Sequence, residues 1–253
     1  MNWIGLKTLI FREVGRFFSV YRQTVLPGLI TSGLYIAIFG FTLEQRISEI
    51  QGVPYTLFIL PGLIMMNTLT NATSNTSSSI LQMKLLQQLP DLLTAPLSGI
   101  EIALAYIIGG AVRGLVNGLL VLLLGVVFVG MPVYDPIGTI LFIFLVSWAF
   151  SSMGLLIGQI AESWDQLAMM QNFFLTPLSF LGGIFYSINM LPEWAQTLSY
   201  INPIYYMING IRYTILGISD SSVFVSFVMA IFLTIIFTIS AIALMQSGKK
   251  IKY

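Results

Sequence analysis

Asn67, Asn71 and Asn75 stand four residues apart, and Thr70, Ser74 and Ser78 form an adjoining row. Side chains four apart stack on one face of a helix, so a helix here carries an amide ladder beside a hydroxyl ladder. Arg113 sits inside an apolar run, with Tyr106 and Asn117 on its helical face. Amides, hydroxyls and a guanidinium recognise by hydrogen bonding. Proton transfer and metal binding ask for other groups, and the chain has no His and no Cys, which removes the commonest general base and the thiolate ligands. No paired carboxylates fall inside an apolar run. The chemistry on offer is therefore binding and passage, with no catalytic residue and no metal site.

Two readings of each group stay open. Amides in hydrocarbon need partners, so the asparagine row either joins neighbouring helices or lines a wet translocation path. Arg113 is costly in an apolar run; it either bonds carbonyls of a neighbouring helix or meets an anionic substrate headgroup. Glu101 is no intrahelical partner, because their separation is about 18 Å along a helix.

The elements that position these groups follow from composition. Of 253 residues, 57% are hydrophobic and 8% charged, with a mean hydropathy of +0.90. Soluble domains carry about 25% charge, so the chain is expected to be an all-α integral membrane protein. A net charge of +1 argues against a nucleic-acid partner. Six apolar runs approach the roughly 20 residues that a bilayer requires: 25–43, 55–75, 101–129, 136–157, 167–188 and 223–246. One domain is expected: an interfacial helix over 1–24, a six-span core over 25–246 and a basic tail over 247–253. No cleavable signal peptide is expected, because Arg12, Arg16 and Arg22 continue up to the first apolar run.

Lys and Arg set the orientation. With a cytoplasmic N-terminus, Lys7, Arg12, Arg16, Arg22, Lys84, Lys249, Lys250 and Lys252 lie inside, and only Arg46 and Arg212 outside. Both termini are then cytoplasmic.

Three segments do more than span. In residues 2–22, basic groups alternate with Trp3, Ile4, Leu9, Ile10, Phe17 and Phe18, which suits a helix lying on the membrane surface. Residues 81–99 place Leu85, Leu86, Leu89, Leu92 and Leu93 on a short cytoplasmic amphipathic helix, bent or split in two at Pro90 and ended at Pro96. Residues 189–217 are too polar to span and too apolar to leave the membrane. Leu191, Trp194, Leu198 and Ile201 share one helical face; Pro203 starts a second helix with Ile204, Met207, Ile208, Ile211 and Ile215. Two short far-side helices that dip back toward the membrane are expected before the last span.

Together these features resemble the permease subunits of ABC-2-type ATP-driven exporters, and within them the YadH-type bacterial inner-membrane permeases. The resemblance rests on Leu175–Leu178 with Leu181–Tyr186, on Leu191-Pro192, on Asn202–Met207 with Gly210–Tyr213, on Pro61–Met66 and on Gly109–Leu115. Asp91–Pro96 resembles the family's cytoplasmic coupling helix. The resemblance implies a dimer of the chain with itself or a related permease, in the inner membrane, each half docking a separate ATP-binding cassette ATPase. That partner holds ATP and Mg; no cofactor is expected here, since the chain lacks a GxxxxGK[ST] phosphate loop. It implies ATPase coupling through Leu85, Leu86, Leu89, Asp91, Leu92, Leu93 and Pro96. A path for an amphiphilic or lipid-like substrate would run along Asn67, Asn71, Asn75, Arg113, Asn117, Phe173, Phe174 and Pro177. An extracellular gate would be built from Tyr186, Pro192, Pro203, Tyr205, Tyr206 and Arg212, against membrane lipids. The alternative is an ion-coupled secondary transporter or drug-efflux permease, which would usually hold an acidic group at mid-membrane or show inverted repeats.

Overall fold

A computed structural model of the chain describes residues 2–40, 42 and 49–248. The end of the first expected span, Arg46, and the tail with Lys249, Lys250 and Lys252 lie outside the described residues. The described chain is mostly helical. Its helices are α1 (Trp3–Ser19), α2 (Tyr21–Thr24), α3 (Leu26–Tyr35), α4 (Tyr55–Leu85), α5 (Leu89–Thr94), α6 (Gly99–Leu124), α7 (Pro136–Ile160), α8 (Trp164–Met170), α9 (Thr176–Leu181), α10 (Glu193–Ile201), α11 (Pro203–Leu216) and α12 (Val223–Ser247). Wider π-helical turns follow α3, α6 and α8, at Ile36–Gly40, Gly125–Val129 and Gln171–Leu175.

Among the described residues, three helices are long and apolar enough to cross a membrane: α6 with its π turn (Gly99–Val129), α7 and α12, at mean hydropathies of 2.3, 2.3 and 2.7. Helix α4 has 31 residues, about 46 Å of rise, but its asparagine, serine and threonine run keeps its hydropathy low. The run expected as a span at 25–43 is helical from Leu26 through the π turn that ends at Gly40, with Pro27 in its first turn. In the run expected at 167–188 the helix passes through the π turn Gln171–Leu175 into α9 and ends at Leu181. Proline is tolerated in a first helical turn, where its missing N–H has no intrahelical partner to lose.

The core is organised on α4, which packs on α6, α7 and α11. Small residues allow the approach. A Cβ on Gly110 would lie 2.1 Å from Thr76 Oγ1, and one on Gly118 2.3 Å from Thr68 Oγ1. On α7, Gly154 and Gly158 face the α4 backbone: added Cβ atoms would meet the Thr73 and Ser77 carbonyl oxygens at 2.4 and 2.6 Å. Thr73 Oγ1 and Thr76 Oγ1 bond across this seam, to the Phe150 carbonyl at 3.2 Å and to Ser151 Oγ at 2.7 Å.

Helix α1 does not lie free on a surface. Its N-terminal Asn2 bonds Glu101, Glu13 packs on Gly109, and Phe17 reaches Arg113, so α1 advances with α6. Leu6, Leu9, Glu13 and Phe17 face protein, while Trp3, Ile4, Phe11 and Phe18 face outward. Helix α6 starts in a capping box, with Ser98 Oγ accepting from the Glu101 N–H and Glu101 accepting from the Ser98 N–H.

Residues 189–217 form two short helices, as expected, but α10 turns its apolar face out: Trp194 is 69% and Ile201 75% exposed, whereas Ala195 and Ser199 face inward. Helix α11 buries Ile204, Met207, Ile208, Ile211 and Ile215. A small hairpin, Glu49–Ile50 with Val53–Pro54, precedes α4. Its two-residue loop, Gln51 and Gly52, has φ of 54° and 74°, as a tight hairpin loop of this length prefers.

Candidate functional site

The asparagine row and Arg113 meet. Arg113 Nε and Nη2 donate to Asn71 Oδ1 at 3.1 and 3.0 Å, and Nη1 to Asn75 Oδ1 at 3.5 Å. Asn71 Nδ2 donates back along α4 to the Asn67 side-chain oxygen at 2.8 Å, and Asn67 Nδ2 reaches Ser32 Oγ on α3 at 3.4 Å. A relay therefore runs from the guanidinium through the Asn71 oxygen and amide to Asn67, and from the Asn67 amide to α3. Asn117 is buried and donates to the Arg113 carbonyl at 2.9 Å within α6. A cleft of about 280 Å³ opens beside this row, between α2–α3 and α4, and reaches Arg113.

Tyr106 belongs to a second cluster. Its hydroxyl accepts from Arg12 Nη2 at 2.8 Å. Arg12 also pairs with Glu13 Oε1 at 2.9 Å, Arg16 lies 3.4 Å from Glu13 Oε2, and Ser79 Oγ donates to Glu13 Oε2 at 2.6 Å. Arg16 Nη2 donates to the carbonyl and side-chain oxygens of Asn75 at 3.0 and 3.1 Å. Asn75 thus joins both clusters. Glu13, 1% exposed, escaped the sequence reading because α1 looked like a surface helix; its arginine neighbours at positions 12 and 16 were the available signal.

The residues expected at the ATPase contact divide by face. Leu85 and Leu86 are 41% and 56% exposed, with Asp91 and Pro96 also outward. Leu89 and Leu92 turn inward, onto the cluster of Leu6, Leu9 and Ile102. The side chain of Leu93 is not among those described. The helix is split, one of the two expected outcomes, but at Gln87 and not at Pro90: α4 continues to Leu85, Gln87 at φ 56° turns the chain, and Pro90 lies in the first turn of α5. Lys84 fixes the end of α4 by donating to the carbonyls of Gln159 and Ala161 at 2.9 and 2.7 Å, the end of α7 where a cation is favoured. Glu162 and Asp165 are exposed next to it.

Phe173, Phe174 and Pro177 are not brought to the asparagine row within this chain. The π turn sends Gln171 inward, to Ser74 and Ser77 at 3.3 and 3.0 Å, and leaves both phenylalanines and Pro177 outward.

At the other end, Arg212 is 1% exposed. It pairs with Asp220 at 3.1 Å, donates to the Gly183 carbonyl at 2.6 Å and stacks 4.0 Å from the Phe58 ring centroid. Burial pulls its guanidinium down to about 10, with Asp220 opposing. Ser187 Oγ also donates to Asp220, and Gln51 Nε2 does so at 2.5 Å. Arg212 is thus a clamp joining α4, α9, α11 and the hairpin. Burial pushes the phenol of Tyr205 up to about 12. Tyr206 and Tyr186 tie their hydroxyls to the carbonyls of Tyr200 and Phe180, each at 2.9 Å. Pro192 precedes α10, and Pro203 begins α11 under the cap of Asn202.

A family model described as ABC-2 type transporter matches residues 5–216. The chain is 38% identical over 252 residues to the inner membrane transport permease YadH of Escherichia coli (strain K12), covering 100% of this chain and 98% of that one. The chain belongs to the ABC-2 type transporter family. Relatives at lower identity are nodulation protein J of Sinorhizobium fredii (strain NBRC 101917 / NGR234), 26% identical over 68% of this chain and 66% of that one, and nodulation protein J of Rhizobium leguminosarum bv. viciae, 25% identical over 86% and 83%. As an ABC-2 membrane transport permease, the chain is a transport subunit. The ABC-2 match includes both arginine clusters, the α4–α5 turn and Arg212, and stops before Asp220 and α12.

Proposed function

We propose that this chain is the membrane-spanning subunit of an ATP-driven exporter for an amphiphilic or lipid-like substrate, with nucleotide hydrolysis on a separate ATPase subunit. The observation that carries the reading is the match to the ABC-2 family over residues 5–216 in a sequence without a phosphate-cradling loop. In this reading the chain crosses the inner membrane six times, α4 and the helical segments at 25–43 and 167–188 included, with both termini in the cytoplasm. Two copies, or one copy and a related permease, form the transporter.

The contact with the ATPase is assigned to the α4–α5 turn, where Leu85, Leu86 and Asp91 are exposed, and to Glu162 and Asp165 beside it. Leu89 and Leu92 seat α5 on α1 and α6, so a push on the turn would move a rigid unit. Coupling through rigid elements with two arrangements needs no wire of residues. Lys84 links the turn to α7, which extends the unit to a third helix. Phe173, Phe174 and Pro177, outward in one chain, would meet the second protomer and close the path from that side. The Arg212 clamp would hold the far-side gate, with α10 presenting Trp194 and Ile201 to lipid.

The test is purification of the chain from its own host membranes. An ATP-binding protein should co-purify, and reconstituted transport should require ATP and Mg. Cargo moved by the chain alone, with no hydrolysing companion in the preparation, would overturn the proposal in favour of an ion-coupled secondary carrier.

A further inference from the structure

We infer that the cleft between α2–α3 and α4 binds the anionic headgroup, phosphate or carboxylate, of an amphiphile, with Arg113 as its anchor. This rests on the permease reading and adds to it the charge class of the ligand and a place inside one protomer.

Charge is the first argument. Arg113 lines the cleft and is linked through Asn75 to a cluster in which Arg12 and Arg16 share one carboxylate, Glu13. Both Glu13 oxygens are already engaged by Arg12, Arg16 and Ser79. Arg113 receives only neutral amide oxygens, and among the described residues no carboxylate pairs with it. A buried cation in an apolar setting ordinarily finds an anion. The surroundings are rich in donors as well: Arg16 Nε and Asn75 Nδ2 are buried without an acceptor.

The wall of the cleft is the second argument. Thr31, Ser32 and Thr70 place hydroxyls around the approach to Arg113, the kind of neutral donors that complete an oxyanion site. Gly28 lets α3 come this close, since a Cβ there would lie 2.5 Å from Asn67 Nδ2. A volume of about 280 Å³ lies below the range of roughly 300–1,000 Å³ for drug-sized ligands. It suits a headgroup.

Depth is the third. Arg113 lies one helical turn beyond Gly109, where Glu13 packs. In the permease reading the guanidinium is about 6 Å further along α6 than that charged cluster, within reach of a headgroup that has entered from the cytoplasmic leaflet.

The chain has no cysteine, so Thr31→Cys gives a single site for an environment-sensitive maleimide dye at the cleft mouth. The labelled full-length chain in detergent is titrated with dioleoylphosphatidylglycerol, oleate and dioleoylphosphatidylcholine, and lipid retention by the unlabelled chain is counted by native mass spectrometry. The anionic lipids should bind at least about ten-fold tighter than the zwitterionic one, and Arg113→Gln should remove that preference. Arg113→Lys should keep part of it. Thr70→Trp, which fills the mouth and leaves the Arg113–Asn71 bonds in place, should block binding. Inorganic phosphate that displaces the anionic lipid supports a site for the oxyanion itself; retention against phosphate supports a lipid headgroup. Equal affinity for all three lipids, or binding unchanged in both Arg113→Gln and Thr70→Trp, would overturn the inference. A preparation without an ATP-binding partner would sink the exporter reading and leave this binding result standing, so the two failures are distinct.

Discussion

Two arginines of this chain are held in opposite ways. Arg212 has a carboxylate, a carbonyl and an aromatic face, and each side chain of the pair is no more than 1% exposed. Removing one member of such a pair strands the other charge, which costs about 3–5 kcal/mol. Asp220→Asn should therefore lower the thermal unfolding midpoint markedly. The four tryptophans provide the fluorescence readout. Asp220→Asn combined with Arg212→Met should recover part of the loss, since no unpaired charge then remains. Arg113, by contrast, sits on amides whose loss strands no carboxylate; Asn71→Ala should cost about 1–3 kcal/mol as an unsatisfied buried donor, well below Asp220→Asn in the same unfolding assay.

At the scale of elements, α4 stands out because it is polar on several faces yet buried along most of its length. Its hydroxyls return to its own carbonyls four residues back, as Thr68 does at 2.8 Å and Ser77 at 2.7 Å, so the residual polarity is spent on α6, α7 and the π turn. Glycine positions set how near those neighbours come. Gly154→Val would drive side-chain carbon into the Thr73 backbone, and should destabilise by about 1–3 kcal/mol or more, read as a lower midpoint and lower yield of folded chain. The split of the cytoplasmic leucines makes a paired prediction. Leu86→Glu, on the exposed turn, should keep the chain folded while releasing the ATPase on co-purification. Leu89→Glu, at 1% exposure, should lower the unfolding midpoint by a charge-burial penalty of several kcal/mol. If Leu86→Glu left both assembly and ATPase turnover unchanged, the turn would not be the contact.

At the scale of the whole molecule, the reading places the α4–α5 turn and α10 on opposite sides of the membrane. The absence of cysteine again makes the test direct. Leu86→Cys should react with a membrane-impermeant maleimide only after permeabilisation, and Glu193→Cys in intact spheroplasts. Reaction of both from the same side would refute the six-span topology. The same molecule-wide arrangement leaves apolar surface uncovered in one chain, at Phe173, Phe174, Trp194 and Ile201, which a bilayer or a second copy would cover.

Composition, charge bias and the motifs from Pro61 to Tyr213 were enough to establish a helical membrane permease of the ABC-2 family, because low charge and long apolar runs are properties of the chain itself. The two short helices before the last long helix were legible for the same local reason: Pro203 and Asn202 set a helix start from their own chemistry. Side-chain partners were not legible. Nothing in the spacing of residues 2–22 distinguishes a helix that lies on lipid from one that carries Glu13 into protein, and nothing in an apolar heptad says which leucine faces inward. That Asn71 and Asn75 hold Arg113, that Leu89 is buried while Leu86 is not, and that Arg212 is a clamp are outcomes of which helices meet. Helix packing turns one-dimensional periodicity into a choice of partner, and that choice is made only when the glycine rows of α6 and α7 close on α4.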